Sequence, residues 1–180
     1  MRDSLKSFFS FWWEVIEVII LALLIVVPIR YFLFQPFVVD GSSMEPSFYD
    51  GDYLIVDQIS YRFRPPERGE VVIFYAPTDP SRRFIKRVVG LPGEKLETVD
   101  QQILITPVEG DQFFFDDHYS QATAYRNFSV TLAEDQYFVL GDNRDRSYDS
   151  RFWGHLPAEN LIGRAVLRLW PLNRINVIKP

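Results

Sequence analysis

The sequence predicts a mainly β fold, an antiparallel, barrel-like sheet domain preceded by one N-terminal transmembrane helix. Three observations carry that expectation. A stretch of 12 uncharged, apolar residues runs from Val18 to Ile29. After it come short runs rich in Val, Ile, Phe and Tyr, separated by Gly and Pro turn signals. No helical pattern of 10 or more residues follows residue 40. At 180 residues the chain has room for about one ordinary domain.

The helix comes first. Residues 15–34 form a stretch of 20 in which only Glu17 and Arg30 are charged. At ~1.5 Å per residue such a helix spans about 30 Å, the thickness of a bilayer core. Trp12 and Trp13, beside Glu14 and Glu17, suit an interfacial belt, and Arg30 is placed to snorkel toward the opposite headgroups. A cleaved leader is a competing reading, with Arg2 and Lys6 as its basic start. However, Ala22 is the only alanine before Ala76 and the residues after Val27 are bulky, so no small-x-small cleavage site exists. A buried core helix is the third option, and a chain this small can hardly wrap one. The segment is therefore expected to remain as an anchor in a lipid bilayer. The basic bias puts the N-terminus in the cytoplasm and residues 40–180 on the outer side, periplasmic, extracellular or thylakoid lumenal. The division is 1–34 for N-terminus and anchor and 35–180 for an external all-β domain.

The expected strands follow in order: 53–57, 70–76, 83–90, 95–99, 102–106, 126–132, 136–140, 161–170 and 175–178. Residues 107–125 are less regular and read as an excursion from the sheet. Composition excludes several functions. Twenty-four acidic against 19 basic residues give a net charge of −5, with no basic excess for phosphate neutralisation, so no nucleic-acid partner is expected. With 47% hydrophobic residues the chain is not disordered. The absence of cysteine rules out disulfides, a thiol nucleophile and Cys-ligated zinc.

Three polar clusters interrupt this pattern. In the first, the strand-like Phe37-Val38-Val39 runs through Asp40 into Gly41-Ser42-Ser43-Met44-Glu45-Pro46. A serine beside glycine at a strand end can expose its hydroxyl with backbone N–H groups nearby, as acyl transfer requires. Taken alone, Gly41-Ser42-Ser43 reads better as a plain polar turn capped by Pro46. In the second, Lys86 alternates with Phe84 and Val88, while Arg83, Ile85 and Arg87 take the other face. An ordinary lysine, pKa ~10.4, is neutral in about 1 molecule in 2,500 at pH 7, and an apolar face would lower that pKa. A snorkelling surface lysine is the alternative. The third is Gly141–Arg151, with Asn143, Asp145, Ser147 and Asp149 alternating. A calcium loop is a rival there, opposed by the interleaved Arg144, Arg146 and Arg151, which suggest ion pairs fixing a loop.

Together the clusters resemble the type I signal peptidases, membrane-anchored Ser/Lys endopeptidases that remove signal peptides from exported preproteins. The resemblance runs through the anchor, Gly41–Pro46, Gly51–Val56, Arg68–Val72, Phe84–Gly93 and Gly141–Asp145 with Ser150-Arg151, in family order. A single anchor is similar to the shorter Gram-positive and cyanobacterial members. The resemblance implies Ser43 as nucleophile, Lys86 as general base and Ser147 as the hydroxyl that orients the lysine amine. It implies Asp149 and Arg151 as a supporting ion pair, with Asp142 in the same box. Some members carry an oxyanion-donating serine where this chain has Gly41, so backbone N–H groups, chiefly that of Ser43, would have to serve. The signal-peptide c-region would add as a strand between 37–41 and 82–86. Small P1 and P3 residues would sit in pockets lined by Phe37, Val39, Phe48, Leu54 and Ile85. No cofactor and no metal are implied. His118 and His155 read as structural, and Trp153 and Trp170 as either core or interfacial residues.

Two other readings share these features. One is a catalytically inactive, membrane-tethered β domain that binds extended peptides. The other is a soluble self-cleaving repressor of the related Ser/Lys fold, which the anchor and the lack of a DNA-binding helical region oppose.

Overall fold

Period-two alternation builds the strands, and burial on both sides of the central ones decides the site. A computed structural model describes the backbone of residues 2–28, 34–120 and 127–180 and the side chains of 12–24, 26, 35–120 and 127–180. Arg30, the side chains of Arg2 and Lys6, and residues 121–126 lie outside the described residues. A first helix, α1, spans Arg2–Pro28. Its large apolar side chains Ile19, Ile20, Leu21, Leu23 and Leu24 are exposed. Among the described residues no helix is long and apolar enough to cross a membrane.

The strands are β1 (Phe34–Val38), β2 (Tyr53–Asp57), β3 (Val71–Ala76), β4 (Asp79–Gly90), β5 (Lys95–Val99), β6 (Gln102–Thr106), β7 (Phe113–Phe114), β8 (Ser129–Thr131), β9 (Gln136–Leu140), β10 (Leu156–Pro157), β11 (Leu161–Trp170) and β12 (Asn176–Val177). The larger sheet runs β1-β2-β11-β3-β4-β9-β10, with β12 on β11. Its pairings are antiparallel. Five strands fall where alternation places them. The strand expected over 126–132 shrinks to Ser129–Thr131, and that over 175–178 to Asn176–Val177. Both lie in short edge pairings, where few ladder bonds sustain a longer strand.

The excursion begins earlier than expected. Residues 95–106, read as part of the main sheet, instead form a second sheet of order β7-β6-β5-β8. Leu96, Ile103 and Ile105 project from one of its faces onto Val89, Phe138 and Leu140 of the larger sheet. That packing covers the C-terminal half of β4. The other face of the larger sheet packs Val72, Phe74, Val88 and Val139 with Leu156. Every residue from Ile85 to Gly90 is consequently buried, whichever face it takes. A lysine and an arginine in that stretch are removed from water together, and each needs a reason to be there.

Candidate active site

The serine turn is pinned at its base and plugged into the core. Val39 N donates to Asp52 O and Gly51 N to Val39 O, each at 2.9 Å, which closes the loop that carries residues 40–50. Gly41 sits in the left-handed region at φ +86, where any side chain would be strained, and its N–H donates to Asp50 Oδ1 at 2.8 Å. Met44 is fully buried beside Phe37, Val39, Phe48 and Leu54. That plug leaves the neighbouring Ser43 half-buried at the rim of a cleft. The backbone N–H of Ser43 makes no hydrogen bond among the described residues.

Lys86 reaches the same rim from β4. It is 4% exposed. Its Nζ donates to Ser43 Oγ at 2.8 Å and to Ile85 O at 2.8 Å, and lies 5.5 Å from the centre of the Phe84 ring. Burial lowers its pKa from 10.5 to about 8, and the carboxylates of Asp149 and Asp142 pull weakly the other way. At pH 7 a pKa of 8 leaves about one amine in ten neutral, against one in some thousands for a free lysine.

The 141–151 segment braces both. Asp149 accepts from Arg151 Nε at 2.8 Å and Nη2 at 2.9 Å, and from Gly141 N at 3.1 Å. It also caps the short helix α2 (Ser150–Trp153) by accepting from Arg151 N. Asn143 N donates to Ser43 O at 3.1 Å, tying the segment to the serine turn. Gly141 passes so close to Ser43 O and the Ser147 side chain that a Cβ there would overlap both. Arg87, 3% exposed, forms a two-pronged pair with Asp142, Nε–Oδ1 at 2.9 Å and Nη2–Oδ2 at 2.7 Å. Its Nη1 donates to Gly69 O at 2.7 Å, and its guanidinium lies 3.5 Å from the centre of the Tyr119 ring.

The family described as "Signal peptidase, peptidase S26" matches residues 12–170. The chain belongs to that signal peptidase family. A probable signal peptidase I-2 of Synechocystis sp. is 39% identical over 174 residues, covering 93% of this chain and 77% of the relative. A signal peptidase I of Leptolyngbya laminosa is 39% identical over 178 residues, covering 93% and 84%. A probable chloroplastic thylakoidal processing peptidase 2 of Arabidopsis thaliana is 36% identical over 156 residues, covering 83% and 41%. Membership makes this protein a hydrolase that processes the signal peptides of preproteins, as a serine protease.

A cleft of about 450 Å³ runs between residues 37–43 and 82–86, with Arg146 and Tyr148 at its side. Of the residues expected to line substrate pockets, Phe37 and Ile85 border it. Val39, Phe48 and Leu54 do not; they are buried in the core that holds Met44. Proximity to a serine in the sequence does not separate a pocket wall from the packing behind it. Ser42 also borders the cleft, and Ser43 is the one that accepts the lysine hydrogen bond. Ser147 differs from the implied arrangement. Its Oγ is buried and makes no hydrogen bond among the described residues, and Ile85 O takes the second lysine N–H instead. His118 is exposed beside Asp116, and His155 is exposed as well. Trp153 packs on Phe74 with ring centres 6.1 Å apart, whereas Trp170 is exposed.

Arg87 was not among the expected site residues, although a signal for it existed. An arginine within a run as apolar as Phe84–Val89 cannot shed its charge, so it demands a buried acid. The antiparallel pairing of Arg87 with Leu140 puts Asp142 two residues on, on the same face. Asp117 gave no such signal. It takes Arg144 through two hydrogen bonds of 2.9 and 2.7 Å. Arg144 and Arg151 thus fix the loop by ion pairs, Arg144 reaching its partner in the excursion, whereas Arg146 forms none among the described residues.

Proposed function

We propose that this signal peptidase is a membrane-anchored Ser/Lys endopeptidase with Ser43 as nucleophile and Lys86 as general base. The observation that carries the reading is the 2.8 Å contact between Ser43 Oγ and a buried lysine amine whose pKa is brought to about 8. With the amine charged, Nζ donates to Oγ. Once neutral, it accepts the hydroxyl proton instead, and Oγ attacks the scissile carbonyl. The ammonium so formed protonates the leaving amine. The acyl-enzyme is then hydrolysed by a water that Lys86 deprotonates. The Ser43 N–H, unbonded among the described residues, is the candidate oxyanion donor, worth roughly 3–4 kcal/mol on the scale of such groups elsewhere. Gly41 cannot add a second, since its N–H is held by Asp50. Ser147 packs on Gly141, against the serine turn, and Asp149–Arg151 and Asp142–Arg87 hold its backbone there.

The substrate would lie in the cleft as a strand. β1 is an end strand of its sheet, and β4 pairs with β9 over Arg87–Gly90 alone. Residues 34–41 and 79–86 therefore present open backbone edges that an extended c-region can bridge. Residues 15–34 would anchor the enzyme beside the bilayer, a role supported by the exposed apolar side chains of α1. The acid limb of the pH profile tests the chemistry. In preprotein cleavage by detergent-solubilised protein, kcat/KM should rise tenfold per pH unit below pH 7 and level off above about 8, because only the neutral amine reacts. A profile that peaks at pH 5 would contradict a lysine base.

A further inference from the structure

Of the 12 arginines whose side chains are described, eight form ion pairs: Arg64, Arg68, Arg87, Arg144, Arg151, Arg164, Arg168 and Arg174. The other four are Arg62, Arg82, Arg83 and Arg146. Three of these four line the one cleft beside Ser43. In a protein of net charge −5, where acids outnumber bases, leaving cations unpaired in a single groove is not what random placement gives.

Two of them are also held in place. The Arg83 guanidinium lies 5.7 Å from the centre of the Phe37 ring, so a β4 residue reaches a β1 residue at the end of the cleft remote from the lysine. The Arg82 guanidinium lies 5.3 Å from the centre of the Phe84 ring, the ring that Lys86 also approaches. An arginine resting on an aromatic face keeps its N–H edge free for an acceptor. No acid among the described residues forms an ion pair with that edge, although the hydrogen bonds from Ser81 and then the charge of Arg82 hold the Asp79 carboxyl below its usual pKa. Asp79 is occupied by Ser81, accepting from its N at 3.1 Å and its Oγ at 2.6 Å, and Asp40, which also borders the cleft, pairs with neither arginine.

We infer that Arg82 and Arg83 form a subsite that reads a carboxylate side chain at the fourth or fifth residue before the scissile bond. The inference rests on the strand-addition reading above. β1 and β4 both run toward the Ser43–Lys86 contact, and a substrate strand between them advances at the same ~3.3 Å per residue. With its first residue before the cut opposite Lys86, the fourth falls opposite Arg83 and the fifth opposite Arg82. An acidic side chain at the fourth residue meets Arg83 and one at the fifth meets Arg82, because the two arginines take opposite faces of β4 as successive substrate residues do, and neither guanidinium forms an ion pair among the described residues. The cleft position favours the peptide over a lipid headgroup as the source of the anion.

The test uses full-length protein in neutral detergent and matched preproteins carrying Glu or Gln at those two positions. Wild type should cleave the Glu substrate roughly five- to tenfold better in kcat/KM, the scale of a partly screened charge-assisted contact. The preference should fall toward one in 1 M salt, where the screening length is about 3 Å. In Arg82→Gln/Arg83→Gln the ratio should approach one, and in Arg82→Glu/Arg83→Glu a Lys substrate should be preferred over Gln. A wild-type ratio of one, or a ratio that survives in the double Gln variant, overturns the subsite. So does a ratio of one accompanied by faster cleavage of both substrates on anionic vesicles, which would assign the arginines to headgroups. Cleavage that persists in Ser43→Ala defeats the Ser/Lys reading separately, since the Glu/Gln ratio is read within one enzyme.

Discussion

Lys86→Met should abolish preprotein cleavage while leaving the fold at least as stable. Methionine keeps the length of the side chain and its contacts with Phe84 but removes the amine that is hydrogen-bonded to Ser43 Oγ. A positioned general base contributes on the order of 10²–10⁴ in rate, and a serine hydroxyl without one is a poor nucleophile. Ser43→Ala should be equally inactive, and combining the two should cost little more than either alone, because the pair acts as a unit. Stability is predicted to move the other way. An amine that is 4% exposed carries a desolvation penalty that methionine does not, so the melting temperature should hold or rise. A merely structural lysine would give the opposite pattern, retained cleavage with a lowered melting temperature. Lys86→Arg is a further control, since arginine keeps the charge and cannot act as a base near neutrality.

The second large effect concerns stability. Arg87 and Asp142 are 3% and 1% exposed and satisfy each other through two hydrogen bonds. Asp142→Asn strands a buried guanidinium, and Arg87→Met strands a buried carboxylate. Removing one member of such a pair typically costs 3–5 kcal/mol, roughly 6–20 °C in melting temperature for a domain of this size. Arg87→Met/Asp142→Leu should recover part of that loss, because it leaves no unpaired charge in the core. Asp142 also supports the charged form of Lys86. In Asp142→Asn the acid limb of the pH profile should therefore shift downward. Thermal unfolding of the three variants, with their pH profiles, checks both statements. Single variants as stable as wild type would mean that the pair is solvated in solution.

Much of this arrangement was legible in the chain, and the rest was hidden for definable reasons. β2, β5, β6, β9 and β11 fall on the expected residues because alternation and Gly or Pro boundaries are local signals. Which sheet a strand joins is not local. Residues 95–106 alternate as cleanly as 136–140, and nothing in either run states that the first would leave the main sheet and pack back onto Val89 and Phe138. The same limit explains the candidate site. Gly41–Met44, Lys86 and Gly141–Arg151 stood out as polar interruptions of apolar strands, and the structure brings Ser43, Lys86 and Gly141 into one neighbourhood. Partners drawn from remote segments, such as Asp117 for Arg144 or Tyr119 for Arg87, left no periodic trace. Val39, Phe48 and Leu54 were apolar and near the serine, but alternation cannot tell a groove wall from the core behind it.

The central claim is that a neutral Lys86 amine serves Ser43, and the amine itself can be titrated. The chain has four lysines, Lys6, Lys86, Lys95 and Lys179, few enough for side-chain signals to be assigned by substitution. In detergent-solubilised, lysine-labelled protein followed by NMR from pH 6 to 11, one signal should titrate near 8 and vanish in Lys86→Arg. A Lys86 signal that titrates at the free-lysine value of ~10.4 would contradict the account, because the amine would then be charged wherever the enzyme works.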